Sequence, residues 1–335
     1  MRASLTALAG LLLLAGAAAP AVADDGGRAD RSFTIEDPRI TESSGLAASR
    51  IHPGVYWTHN DSEDGPYLYA VDSRTGRTVA TVTMTGVGEP RDVEAISIGP
   101  DGNLYVGDIG DNLNGTWDHV WIYRLPEPKE LRDTTVRATQ FDVTYADGAR
   151  DAEALMVHPK TGRVYIASKN QDGGGLYEGP AELSTGGDNV FHRVGKVGWV
   201  TDGAFSPDGT RLVLRSYLGA RVHDFADGRI GAEHPVDAPF QGQSESVTYT
   251  ADGSALMYGY EGARSRVERV DVGGGAAEPS ADGSGSPSAK PTEGSGPAGG
   301  SGGNGAEKGS ATVGGLVILG AVVLAFRFRR RRGGD

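Results

Sequence analysis

Arg91-Asp92-Val93-Glu94-Ala95-Ile96-Ser97-Ile98-Gly99-Pro100-Asp101-Gly102-Asn103-Leu104-Tyr105-Val106-Gly107-Asp108 decides the fold. It reads as a carboxylate pair, a short apolar strand, a Pro-Asp-Gly turn and a second apolar strand ending in an acid. Proline presets one backbone angle of the turn and glycine takes the left-handed position, so the chain reverses into a tight hairpin. The same grammar returns from Asp151 to Lys169 and from Thr201 to Arg215, with weaker copies at Glu42–Ala47 and Ser244–Gly253. Recurrence at intervals of about 40 to 60 residues marks a repeat architecture.

Working outward, each copy extends to four short β-rich runs separated by Gly, Pro, Asp and Asn, with no amphipathic helix between them. The second repeat is expected at Val93–Ile98, Leu104–Asp108, Val120–Leu125 and Thr139–Tyr145. The fourth ends in a weak strand near Ile230–Pro235, and the fifth lacks an outer strand. An orphan strand, Ser32–Asp37, precedes the first repeat and is expected to complete the fifth, leaving no open edge. The expected fold is an all-β, five-bladed β-propeller closed by that N-terminal strand. Six blades stay open if one long repeat holds two.

Both ends of the 335-residue chain read differently. Residues 1–23 have a charged start, an apolar core and an Ala-Val-Ala site, the pattern of a secretory signal. Residues 24–272 are the expected ectodomain. Residues 273–310 are Gly, Ser, Ala and Pro with few core formers, the composition of a disordered linker. Residues 311–328 are expected to form one transmembrane helix, and the arginine-rich tail 329–335 is expected to stay cytoplasmic. The expected location is therefore the cell membrane, single-pass, with the repeat domain outside.

Setting aside Arg2, the five tail arginines and Asp335 leaves 26 bases against 43 acids, about 17 net negative charges on the exported part. That field disfavours nucleic acid and suits cations, sugars or basic partners. The chain has no cysteine, which excludes disulfides, thiolate metal sites and cysteine nucleophiles.

The Glu42–Ala47 opening, the Asp-x-Glu-Ala copies at Asp92–Ala95 and Asp151–Ala154, and Phe205-Ser206-Pro207-Asp208-Gly209 resemble bacterial exported β-propellers. These form the broad group of WD-repeat-like, Tol-B-like and phytase-like proteins. The resemblance covers roughly Ser32 to Val272. It implies fold more than function, because that group hosts binders and enzymes alike. The Trp-Asp signature of true WD repeats is missing from the strand ends.

In a propeller the innermost strand lines the channel, and its start shares a rim with the end of the second strand. Acids stand at the inner-strand starts of all five repeats: Glu42, Glu94, Glu153, Asp202 and Glu245. The second-strand ends bring His59, Asn60, Asp61, Asp108, Asp111, Asn112, Lys169, Arg215 and Glu261 to the same rim. One mouth is thus expected to be acidic, with Lys169 and Arg215 as its cations.

Each acid has a plain structural reading beside the functional one, since it can accept backbone N–H groups of the next blade. Asp61, Asp108, Asp111 and Asn112 offer the hard oxygens that calcium prefers, although their spacing is not that of an EF-hand. Calcium is the expected ion. Glu42, Asn60, Asp202, Lys169, Arg215 and Glu261 are candidate ligand contacts. The leading reading is a surface protein that binds an extracellular ligand or partner at this mouth. Glu94, Glu153, Glu245 and His59 are the catalytic candidates of a second reading, a calcium-dependent phosphoesterase or lactonase, or a carboxylate-based glycoside hydrolase.

Overall fold

The computed structural model describes residues 30–61, 64–112, 115–169, 173–240 and 242–273. All belong to the first of the chain's two compact units. The expected signal peptide, linker, transmembrane helix and tail lie outside the described residues, apart from the linker's first residue. Among the described residues, no helix is long and apolar enough to cross a membrane.

Among the described residues every element is a strand. After β1 (Phe33–Thr34), the first meander is β2 (Ser43–Ala48), β3 (Val55–Asn60), β4 (Tyr67–Asp72) and β5 (Arg77–Thr85). The second is β6 (Val93–Ile98), β7 (Asn103–Asp108), β8 (Val120–Pro126) and β10 (Thr139–Tyr145), with β9 (Thr134–Arg137) leaving to pair in parallel with β5. The third is β11 (Ala152–Val157), β12 (Val164–Ser168), β13 (Gly174–Glu178) and β14 (Asn189–Val197). The fourth is β15 (Asp202–Phe205), β16 (Arg211–Ser216), β17 (Gly219–Ala226) and β18 (Arg229–Val236). The fifth is β19 (Ser244–Tyr249), β20 (Ala255–Tyr260) and β21 (Arg266–Asp271).

The N-terminal strand completes that last sheet, in the order β1-β21-β20-β19, with Phe33 opposite Val267. The expected closure is therefore present, and it joins the two ends of the ring through backbone hydrogen bonds. Inner strands β2, β6, β11, β15 and β19 follow one another around the axis, β19 returning to β2. This is a β-propeller. The outer strands of the second and third meanders also pair with each other in parallel, so these two share one eight-stranded sheet.

The core lies between the sheets. Trp57, Leu68 and Val82 of the first pack on Ile96, Leu104 and Tyr123 of the second. Similar apolar layers fill the other junctions, and Phe33, Ile35 and Ile40 join Tyr56 and Met257 where the ring closes. The inner hairpin turns carry glycines in the left-handed region, such as Gly102 (φ 72°) and Gly209 (φ 76°), as the turn chemistry requires.

Ring closure by β1 has a measurable consequence. Ile35 is fully buried beside the closing strand, so Ile35→Ala should cost about 2–5 kcal/mol of unfolding free energy. Urea denaturation measures it. A loss near zero would mean that the N-terminal segment is not part of the cooperative fold.

Candidate functional site

The inner hairpins supply a common ruler. Each is closed by one N–H: Ser49, Gly99, His158, Ser206 and Thr250 donate to Val55, Asn103, Arg163, Arg211 and Ala255. Counting back five residues from each gives Ser44, Glu94, Glu153, Thr201 and Glu245. Counting back seven gives Glu42, Asp92, Asp151, Trp199 and Gln243. The five acids expected as one ring are thus in three registers. Glu94, Glu153 and Glu245 are equivalent, Glu42 belongs to the outer tier with Asp92 and Asp151, and Asp202 falls one residue deeper.

A β-bulge accompanies the shared register. The pairing register slips at Glu94, at Glu153, at Glu245 and, in β2, between Ser43 and Leu46, while β15 pairs with β16 without a slip. A bulge inserts one residue and re-aims its side chain. Three glutamates at the bulge are a repeated structural choice that residue spacing from the Asp-x-Glu-Ala motif alone does not reveal.

Several expected ligands instead hold backbone N–H groups. Asp202 is 1% exposed; its Oδ1 accepts the Gly203 N–H at 2.7 Å and its Oδ2 the Val247 N–H at 2.8 Å, tying β15 to β19. Asp108 accepts the N–H groups of Arg91 (3.0 Å) and Asp92 (2.8 Å) and the Tyr123 hydroxyl (2.6 Å). Asp111 accepts the N–H groups of Thr116 and Trp117, the latter at 2.7 Å. Asp108 and Asp111, expected as metal ligands, therefore face backbone donors. Asn60 does the same work, accepting the N–H groups of Thr41 and Glu42 at 3.0 Å each.

The two cations also depart from expectation. Arg215, read as a mouth residue, is 1% exposed and donates through Nη1 to the carbonyls of Ser246 (2.6 Å) and Gly259 (2.8 Å). Its guanidinium lies over the rings of Tyr258 and Tyr260, and burial pulls its pKa down. Lys169 forms an ion pair with the buried Glu153, near the Tyr217 ring. Glu261 accepts a hydrogen bond from Gln243 in an exposed pair. His59 is buried, its Nδ1 is 2.9 Å from the Asn60 carbonyl, and burial lowers its pKa, which favours neutral imidazole. Trp199 lies in the loop before β15.

What remains is a cluster on the first two meanders. Oxygen atoms of Asp61, Asp92 and Glu94 all lie within 4.8 Å of one another. Asn112 Nδ2 donates to Asp92 Oδ2 at 2.8 Å, and Ser44 Oγ to Glu94 Oε2 at 3.1 Å. The carboxylates close over Gly110, where a Cβ would stand 2.6 Å from Asp92 Oδ2 and 2.8 Å from Glu94 Oε1. Hard oxygens at this spacing can coordinate one divalent cation. Asp61 and Asn112 were expected in such a set; Asp92 was not, although its place in the Asp-x-Glu-Ala motif marked it.

No family model matches the chain, and no curated protein matches it. Solved structures do. An auxiliary nutrient-binding protein from Bacteroides thetaiotaomicron matches at 11% identity over 71% of this chain, with TM-score 0.41; the chain spans 59% of its length. The PQQ-bound aldose sugar dehydrogenase from Streptomyces coelicolor matches at 14% identity over 72% of this chain and 98% of that one, TM-score 0.41. A gluconolactonase from Xanthomonas campestris matches at 13% identity over 72% and 89%, TM-score 0.41. At such scores none of these carries an argument about activity.

Asp202 makes a pH prediction. Burial raises its pKa well above the ordinary value, outweighing the two N–H bonds that lower it. The folded state then holds the proton more tightly than the unfolded chain. Asp202's contribution to stability is complete below the ordinary carboxylate range and declines as pH rises through the raised value. The stability difference between wild type and Asp202→Asn should therefore fall as pH rises above the ordinary carboxylate range in urea titrations. A difference that is flat or rises with pH would contradict this.

Proposed function

We propose that the chain is a five-bladed, exported β-propeller, tethered to the cell membrane by its C-terminal segment, whose channel mouth binds calcium through Asp61, Asp92 and Glu94. Through that ion it takes an oxygen-bearing extracellular ligand. The cycle of inner strands supports the blade count; export and tethering rest on the residue patterns of the two ends. The observation that carries the cation reading is the convergence of three carboxylates from two neighbouring sheets within 4.8 Å. Like charges so close repel strongly unless a cation or protons neutralise them.

The rest of the mouth sharpens the location. On the opposite side, Lys169 already pairs with Glu153, and Arg215 sits against two carbonyls of the fifth sheet. Asp202 holds two backbone donors. The Asp61 side is where acids gather most closely.

A hydrolase remains the second reading, because Glu94, Glu153 and Glu245 share one bulged register at the channel. On that reading Glu153→Gln abolishes any turnover of a phosphoester, lactone or glycan. Turnover that survives the change removes Glu153 from the reaction.

Calcium binding is tested by thermal unfolding of the full chain with calcium or with EDTA. At a hundredfold excess over Kd, calcium should add about 2.7 kcal/mol of stability. Asp92→Asn should abolish the gain, and Gly110→Ala should weaken it by pressing a methyl group onto Asp92 and Glu94. Identical midpoints with calcium and with EDTA would sink the proposal.

A further inference from the structure

Outside the cation cluster, the loop between β7 and β8 borders a second feature. A cleft of about 130 Å³ opens beside Trp117, Asp118 and His119, with Val143, Tyr145 and Arg150 on its other side. A cavity on the order of 150 Å³ holds one benzene ring, so this volume suits a single small ring whose substituents project outward.

Both walls are held in place. Asp111 accepts the N–H groups of Thr116 and Trp117, and its own N–H donates to Asp151 Oδ1 at 3.0 Å. The Arg91 guanidinium lies 4.0 Å from the Trp117 ring centroid and 3.7 Å from that of Trp121, while its Nη2 donates to the His119 carbonyl at 2.9 Å. Across the cleft, Tyr145 packs edge-on against Tyr177 at 5.0 Å, and Arg150 Nε donates to the Tyr177 hydroxyl at 2.8 Å. A cleft assembled in advance loses little ordering entropy when it is filled.

Its chemistry is mixed in a particular way. Trp117, Val143 and Tyr145 supply aromatic and apolar surface. Asp118, whose side chain is 93% exposed, stands 2.9 Å from His119 Nδ1, and Arg150, paired with Asp147 at 3.0 Å, adds a guanidinium. A purely aromatic guest needs no such polar rim. A sugar ring presents C–H faces to aromatic surface and hydroxyls that both donate and accept hydrogen bonds.

We propose that this cleft binds one sugar ring, independently of the cation cluster. The ring is either a free monosaccharide or the terminal unit of a glycan, and the cleft recognises the same chemistry in both. Trp117 supplies the platform, and Asp118 accepts hydroxyl protons.

The test uses the full chain in a detergent without a sugar headgroup, with EDTA present so that the cation cluster is unloaded. Glucose, galactose, mannose, arabinose and N-acetylglucosamine are titrated by saturation-transfer NMR, and a glycan array is probed in parallel. At least one sugar should bind, and Trp117→Ala should weaken it about tenfold or more. Asp118→Asn, at an exposed position, should weaken binding at least about threefold without disturbing the fold, and it decides the matter if Trp117→Ala misfolds. Array binding without monosaccharide binding assigns the ring to a glycan end; monosaccharide binding assigns the free sugar as sufficient. The proposal is overturned if no sugar or array glycan binds, or if Asp118→Asn binds as wild type does. Binding of tyramine in place of every sugar overturns it as well. Because EDTA is present throughout, failure here leaves the calcium reading untouched, and failure of the calcium reading leaves this one standing.

Discussion

The structure depends on how neighbouring inner strands are joined around the axis. Inner strands of a propeller pair within their own sheets, so contact between sheets falls to side chains. Here apolar layers supply the area, and buried polar groups fix the alignment. Asp202 gathers backbone donors from β15 and β19; Ser97 Oγ accepts the Val157 N–H at 3.1 Å; Arg215 reaches two carbonyls of the fifth sheet. A buried carboxylate or guanidinium is costly unless such partners compensate it. These joints therefore place a polar residue where two sheets meet, whether or not that residue has a function.

That constraint explains why acids crowd the channel and why most of them are poor candidates for ligand chemistry. Asp108 and Asp202 are engaged by N–H groups within 3.0 Å, and Asp111 by the Thr116 and Trp117 N–H groups. Glu153 holds Lys169. Asp61, Asp92 and Glu94 differ in arrangement rather than in type: they face one another over a glycine that leaves them room. The same residue types thus divide into scaffold and candidate site according to geometry.

Much of this was legible in the residues. The Pro-Asp-Gly turns located the hairpins, alternating β-branched runs located the strands, and the orphan strand at Ser32–Asp37 announced closure, because an incomplete last repeat needs a partner. The short polar strand β9 was not legible: it has no apolar periodicity, and its pairing with β5 is long-range. Nor was the register of the acids. Glu42, Glu94 and Asp202 all stand near the start of an inner strand, yet counted back from the hairpin N–H Glu42 lies seven residues away, Glu94 five and Asp202 four. Counting back from the turns, where Pro100, Pro159 and Pro207 mark the same point, carries that register. Arg215 misled for another reason. A strand-end arginine is normally solvated, and only the neighbouring sheet's carbonyls and the tyrosines beneath it reveal the burial.

The central claim is that the channel acids divide into welds and one cation site. A crystal structure of the protein grown with calcium tests it most directly. The account predicts a metal peak bonded to Asp61, Asp92 and Glu94 at about 2.3–2.6 Å, with Asp108, Asp111 and Asp202 still held by backbone N–H groups. A peak centred on Asp108 and Asp111, or three carboxylates joined without any ion at saturating calcium, would contradict it.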